Sequence, residues 1–159
     1  MLGGLGNHVA STIDWGEISS LAPGIAIRRV RPRLSRATTP RMEMAMGNQP
    51  DCRRAQVRRL NDQFRCFGLG RGSLMVTAGI DERGLGFVAA AVAAVRTFDG
   101  FNPDNDPHGE HDFGAFTLEG QRLFFKIDYY DLDLEGHSPD AADPAQTHRV
   151  LTIMLASEY

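Results

Sequence analysis

The chain has 159 residues with a formal net charge of -3, 42% hydrophobic residues and two cysteines. That length fits one domain with an appendage, and no stretch approaches the ~18 apolar residues of a membrane span. The charge is split: residues 1–71 carry twelve arginines against five acids, a balance of +7, and residues 72–159 carry five basic residues against fifteen acids, a balance of -10.

Residues 1–50 read as an extension outside the domain, either disordered or a misassigned start. Glycines and prolines (Gly3, Gly4, Gly6, Pro23, Gly24, Pro32, Pro40) interrupt each candidate element. The acid-free run Arg28, Arg29, Arg31, Arg33, Arg36 and Arg41 offers a DNA contact. Met42, Met44 and Met46 are alternative starts. The N-terminus lacks the charged start and continuous apolar core of a secretory signal. Cys52 and Cys66 are too isolated for a zinc knuckle and are expected as reduced thiols in a cytoplasm.

The domain is placed at residues 51–159. Val57, Leu60, Phe64 and Phe67 fall at helical spacing, with arginines and Asn61-Asp62 assigned to the solvated side and Gly68 as the stop. Ser73–Ile80 is a short apolar segment expected as a strand. Leu85, Val88, Val92 and Val95 then predict a helix up to Phe98, packed closely through its alanines. Residues 113–118 and 121–130 predict two strands of a hairpin joined by Glu119-Gly120. In the second strand Leu123, Phe125, Ile127 and Tyr129 share one face, and Phe124, Lys126, Asp128 and Tyr130 share a mixed face suited to a cleft border. Asp143-Pro144 reads as the cap and first turn of a last helix with a stripe of Thr147, Val150, Leu151, Met154 and Leu155. The order α-β-α-β-β-α predicts a small α+β domain, with helices packed on an antiparallel or mixed sheet.

Between the second helix and the hairpin lies Phe101-x-Pro103-Asp104-Asn105-Asp106-Pro107-His108-Gly109-Glu110-His111-Asp112-Phe113-Gly114. With Leu60-Asn61-Asp62-x-Phe64-Arg65, Thr77-x-Gly79, Phe98-Asp99, Lys126 to Asp131, Asp143-Pro144 and Arg149 to Ala156, it resembles the signature of a family of small bacterial proteins known as a domain of unknown function. Its members are often encoded on plasmids and integrated mobile elements. The resemblance covers residues 53–159. It implies a role in plasmid maintenance, transfer or anti-host defence, and it brings no catalytic residues with it.

Three chemistries suit the run. Asp104, Asp106 and His108 offer ligands for a divalent metal. Asp104-x-Asp106-x-His108-Gly109 matches the first half of a calcium loop, as does Asp131-x-Asp133-x-Glu135-Gly136. Both hold alanine (Ala115, Ala142) where that loop needs a bidentate Glu, which excludes an EF-hand. His108, Glu110 and His111, with Asp128 from the facing strand, would suit zinc or iron in a metal-dependent hydrolase or nuclease. Glu110, His111 and Asp128 are the candidate catalytic groups, and Asp112 and Lys126 are further acid–base partners. The third reading has no catalysis. The loop's Asp and Asn residues cap their own turns, His111 and Glu110 brace the hairpin, and the acidic, aromatic surface around Asp128-Tyr129-Tyr130-Asp131 binds a protein partner or imitates DNA. A protein partner is favoured over nucleic acid, and the leading expectation is a cytoplasmic accessory or interaction protein.

Overall fold

The computed structural model describes residues 11–13 and 50–159. The basic run Arg28 to Arg41 and the alternative starts lie outside the described residues. Ser11–Ile13 forms β1, so this part of the expected extension joins the domain's sheet.

Helix α1 spans Pro50–Phe67, with Pro50 at its first position and Asp51 in its first turn. Gly68 closes it in the left-handed region at φ 66, its N–H donating to the Phe64 carbonyl at 2.8 Å. Its buried residues are Val57, Asn61, Phe64 and Arg65, while Phe67 is exposed. The expected apolar stripe is therefore corrected: a polar pair, Asn61 and Arg65, faces inward. Apolar periodicity misses them because their partners lie far away in the chain or accept a polar group: Arg149, Glu110 and Tyr129 for Asn61, and Asp62, the Val95 carbonyl and the Phe101 ring for Arg65.

Strand β2 (Gly72–Val76) is shorter than the expected segment, since Ala78–Asp81 turns into the one-turn helix α2. Helix α3 (Leu85–Thr97) buries Phe87, Val88, Ala91, Val92 and Val95, and its first residue, Leu85, points to solvent. The hairpin of β3 (Phe113–Leu118) and β4 (Gln121–Tyr130) forms as expected. Its turn places Glu119 at φ 49 and Gly120 at φ 75, which matches the right-handed twist of the flanking strands.

The segment expected as the last helix is instead β5 (His148–Leu155), followed by a single 3-10 turn at Ala156–Glu158. Arg149, Leu151 and Ile153 are buried in alternation, and β-branched Val150, Thr152 and Ile153 suit a strand. Asp143 caps a local turn, accepting from the Ala145 N–H at 2.8 Å, and Pro144 starts no helix.

The five strands among the described residues form one mixed sheet in the order β1-β2-β5-β4-β3. β2 and β5 run parallel and the other pairs antiparallel. Leu74, Val76, Leu123, Phe125, Ile127, Leu151 and Ile153 line one face and meet α1 and α3 in a continuous core. The α+β class with helices on a mixed sheet stands, with the last element changed. The C-terminus is tied back by Glu158, whose carboxylate accepts from Thr77 Oγ1 at 2.6 Å, Gly79 N at 2.9 Å and Leu155 N at 3.0 Å.

Candidate functional site: the signature loop and its cleft

The loop from Phe101 to Asp112 is folded by its own side chains. Asn102 Oδ1 accepts from Asp104 N and Asn105 Oδ1 from Asn102 N, each at 2.9 Å. Asp106 is buried, and its carboxylate accepts from the backbone N–H of Glu110 at 2.8 Å and of His111 at 3.2 Å. Those bonds hold Gly109 at φ 66 and His111 at φ 56, and His111 pays a backbone cost that glycine would not.

His111 is fixed from three sides. Its Nδ1 sits 3.0 Å from both Asp62 carboxylate oxygens, its Nε2 is 3.9 Å from Asp106 Oδ2, and its ring stacks on Phe101. Asp62 also accepts from Arg65 Nη2 at 3.1 Å. The Arg65 guanidinium donates to the Val95 carbonyl and lies over the Phe101 and Phe125 rings. Its buried Nε has no hydrogen-bond partner among the described residues, and the ring faces supply the compensating attraction there.

A second network starts at Glu110. Its Oε2 accepts from the Tyr129 hydroxyl at 3.1 Å. Asn61, fully buried, donates through Nδ2 to the Tyr129 oxygen at 2.7 Å and to the Glu110 carbonyl at 2.9 Å. Its Oδ1 accepts from Arg149 Nε at 2.9 Å, and Arg149 Nη2 donates to the Ala141 carbonyl at 2.6 Å. Burial raises the pKa of the Glu110 carboxyl, and the Tyr129 bond opposes that rise. Burial also raises Asp112 and Tyr129 and draws Arg149 down, the last against the favourable field of Tyr129 and Glu110.

An open cleft of about 510 Å³ lies in front of this network, between the start of α1, the signature loop and residues 140–142. Val57, Ala141 and Ala142 contribute its apolar lining; Arg53, Arg54, His108, Glu110 and Asp140 contribute its polar groups. Arg53 pairs with Asp140 at 2.6 Å, and Arg54 lies 3.8 Å from exposed Asp51.

Of the residues singled out from sequence, His108 and Glu110 meet at this cleft, and His111 and Asp106 stand behind it as supports. Asp104 is exposed on the loop. Asp128 points to the other face of β4 and pairs with Lys126 at 2.8 Å, apart from the Glu110 bonds. Among the described residues no three His, Cys, Asp or Glu side chains group as metal ligands. Asn61, Asp62, Arg65 and Arg149 carry no sign of a site role in the sequence beyond their place in the runs that carry the resemblance.

The family model described as protein of unknown function (DUF3768) matches residues 76–158. The chain belongs to the DUF3768 family. No curated protein and no solved structure matches it. The DUF3768 match contains the signature loop, the hairpin and β5, and so Glu110, His111, Tyr129 and Arg149. The residues that complete both networks, Asn61, Asp62 and Arg65, come from α1, before the matched span. No helix among the described residues is long and apolar enough to cross a membrane.

Proposed function

We propose that the chain is a non-enzymatic accessory protein of a bacterial mobile element, acting in the cytoplasm by binding a protein partner at the cleft. One observation carries this reading: three of the signature's polar side chains are engaged inside the fold. Asp106 holds the backbone at residues 110 and 111, His111 is held by Asp62 and Phe101, and Glu110 accepts from Tyr129. Side chains engaged in this way make a rigid support behind the cleft. The cleft has an apolar floor beside Arg54 and His108, with Arg58 and Arg59 exposed further along α1. That combination suits an extended polypeptide carrying an acidic side chain. The cytoplasmic and mobile-element parts rest on the resemblance of the signature and on the free thiols of Cys52 and Cys66.

A second reading, a metal-dependent hydrolase or nuclease centred on the Asp104–Asp112 motif, is favoured by a different observation. Glu110 borders the cleft with its pKa raised by burial, as a general acid requires.

Thermal melting separates the two, because a ligand of the native state raises the melting temperature. The first reading expects a rise with members of a panel of acidic peptides, lost in Arg54→Glu, and none with magnesium, manganese or zinc. A metal-dependent rise that His108→Ala abolishes sinks it in favour of the hydrolase.

A further inference from the structure

We propose that β3 is the pairing edge of a symmetric dimer of this chain. Among the described residues the sheet ends on β1 at one side and on β3 at the other. β1 is three residues long, and a short edge is poorly suited to pairing. β3 is six residues long and pairs with β4 in unbroken register from Phe113↔Lys126 to Leu118↔Gln121. Phe113–Leu118 contains no proline, no charged residue and no bulge, which are the usual devices that keep an edge from pairing.

The register also says which groups face outward. The Ile127 N–H donates to the Asp112 carbonyl at 2.7 Å, so the even-numbered residues of β3 are those bonded to β4. The N–H and C=O groups of Phe113, Ala115 and Thr117 point away from the sheet, and among the described residues they have no hydrogen-bond partner.

These outward groups are self-complementary. A twofold axis at Ala115 sets two copies of β3 antiparallel, with Ala115 facing the partner's Ala115 and Phe113 facing the partner's Thr117. This is the isologous arrangement of a twofold dimer. It places Asp112 against the partner's Leu118, so Asp112 does not meet the partner's Glu119 and no like charges oppose one another. An aromatic cluster sits beside the seam on the helix-free face. Phe113 packs against Phe124 and Tyr159, with centroids 5.4 and 5.9 Å away, and Tyr159 is 75% exposed. Pairing brings the partner's Thr117 onto the Phe113 side of that cluster. A second copy therefore fits both the backbone and the charge pattern of the edge.

The test is the mass in solution of the full chain by light scattering and sedimentation, for wild type, Ala115→Lys, Ala115→Glu and an equal mixture of the two variants. Wild type is expected at twice the 17.5 kDa chain mass. Each variant alone sets like charges opposite one another on the axis and is expected to weaken the dimer by about tenfold or more. The mixture, which sets Lys against Glu, is expected to restore it. Ala115→Pro gives a second route: it removes an outward N–H without touching a bond to β4, so it should yield a folded monomer by circular dichroism. A wild-type chain that stays monomeric overturns the proposal, whether its edge is free or covered by another segment. So does a dimer that all three substitutions leave intact.

Discussion

The His111 imidazole lies flat on the Phe101 ring, with centroids 3.8 Å apart and planes 1° from parallel. The stack joins the start of the signature loop to its end. Asp62 holds the same imidazole from α1. Replacing His111 by Ala removes the stack and the bond to the carboxylate, and should cost about 2–3 kcal/mol in denaturant unfolding. His111→Gly loses the same contacts but relieves the left-handed backbone, so it should cost about 1 kcal/mol less than Ala. If His111→Ala unfolds at the wild-type denaturant midpoint, the loop is not braced by this residue.

Asn61 is the hinge of the second network. It serves the Glu110 carbonyl, the Tyr129 hydroxyl and Arg149 at once. Asn61→Ala leaves three buried or half-buried polar groups short of a partner and should cost about 3 kcal/mol or more. Tyr129→Phe removes only the hydroxyl, so its cost should be nearer 1 kcal/mol. Equal losses in the two variants would mean that Asn61 acts through Tyr129 alone, leaving Arg149 with no need of it.

Local chemistry made the hairpin legible. Glu119-Gly120 sits between two runs of alternating side chains, and both the turn and the core face of β4 follow from that spacing. The segment from Val150 to Leu155 is ambiguous in sequence, because Val150, Leu151, Met154 and Leu155 fit a helical stripe as well as a buried strand. Asp143-Pro144 favours a helix there, yet Asp143 caps only a turn. What decides the case is tertiary: β5 lies between β2 and β4 and hydrogen-bonds to both. The loop's importance was visible in its charge density and in its resemblance. Its partners were not, since Asn61 and Arg65 look like solvated residues until Arg149 and Phe101 arrive from distant parts of the chain.

The glycines give a paired test of packing against backbone freedom. A Cβ on Gly114 would stand 2.3 Å from Phe125 Cε1 and 2.8 Å from Phe98 Cε1, and Phe125 is fully buried. Gly114→Ala should therefore cost about 1–3 kcal/mol. Gly86, near the start of α3, has nothing within 4 Å of the added carbon. Gly86→Ala should stabilise by about 0.5 kcal/mol through the lost freedom of the unfolded chain. Melting curves should move in opposite directions, and a shift of the same sign in both would sink the packing argument.

Stability against pH reports on Glu110. Burial is the main cause that raises its folded-state pKa above the ordinary 4.5, and the Tyr129 bond only partly opposes this. Between the unfolded and folded values the native state binds more protons, so this group's contribution to stability falls as pH rises through that window. The contribution is fully present below the unfolded value, and above the folded value the buried charge is a standing cost. Glu110→Gln keeps an acceptor for the Tyr129 hydroxyl and carries no charge. Its melting temperature relative to wild type should rise as pH climbs from the ordinary carboxylate value through the raised folded-state value, then level off. Asp112 shifts in the same direction through its own burial, so some downward slope should persist in the variant. A melting difference that stays constant across that range would show that the buried charge of Glu110 has no part in setting the stability of the cleft.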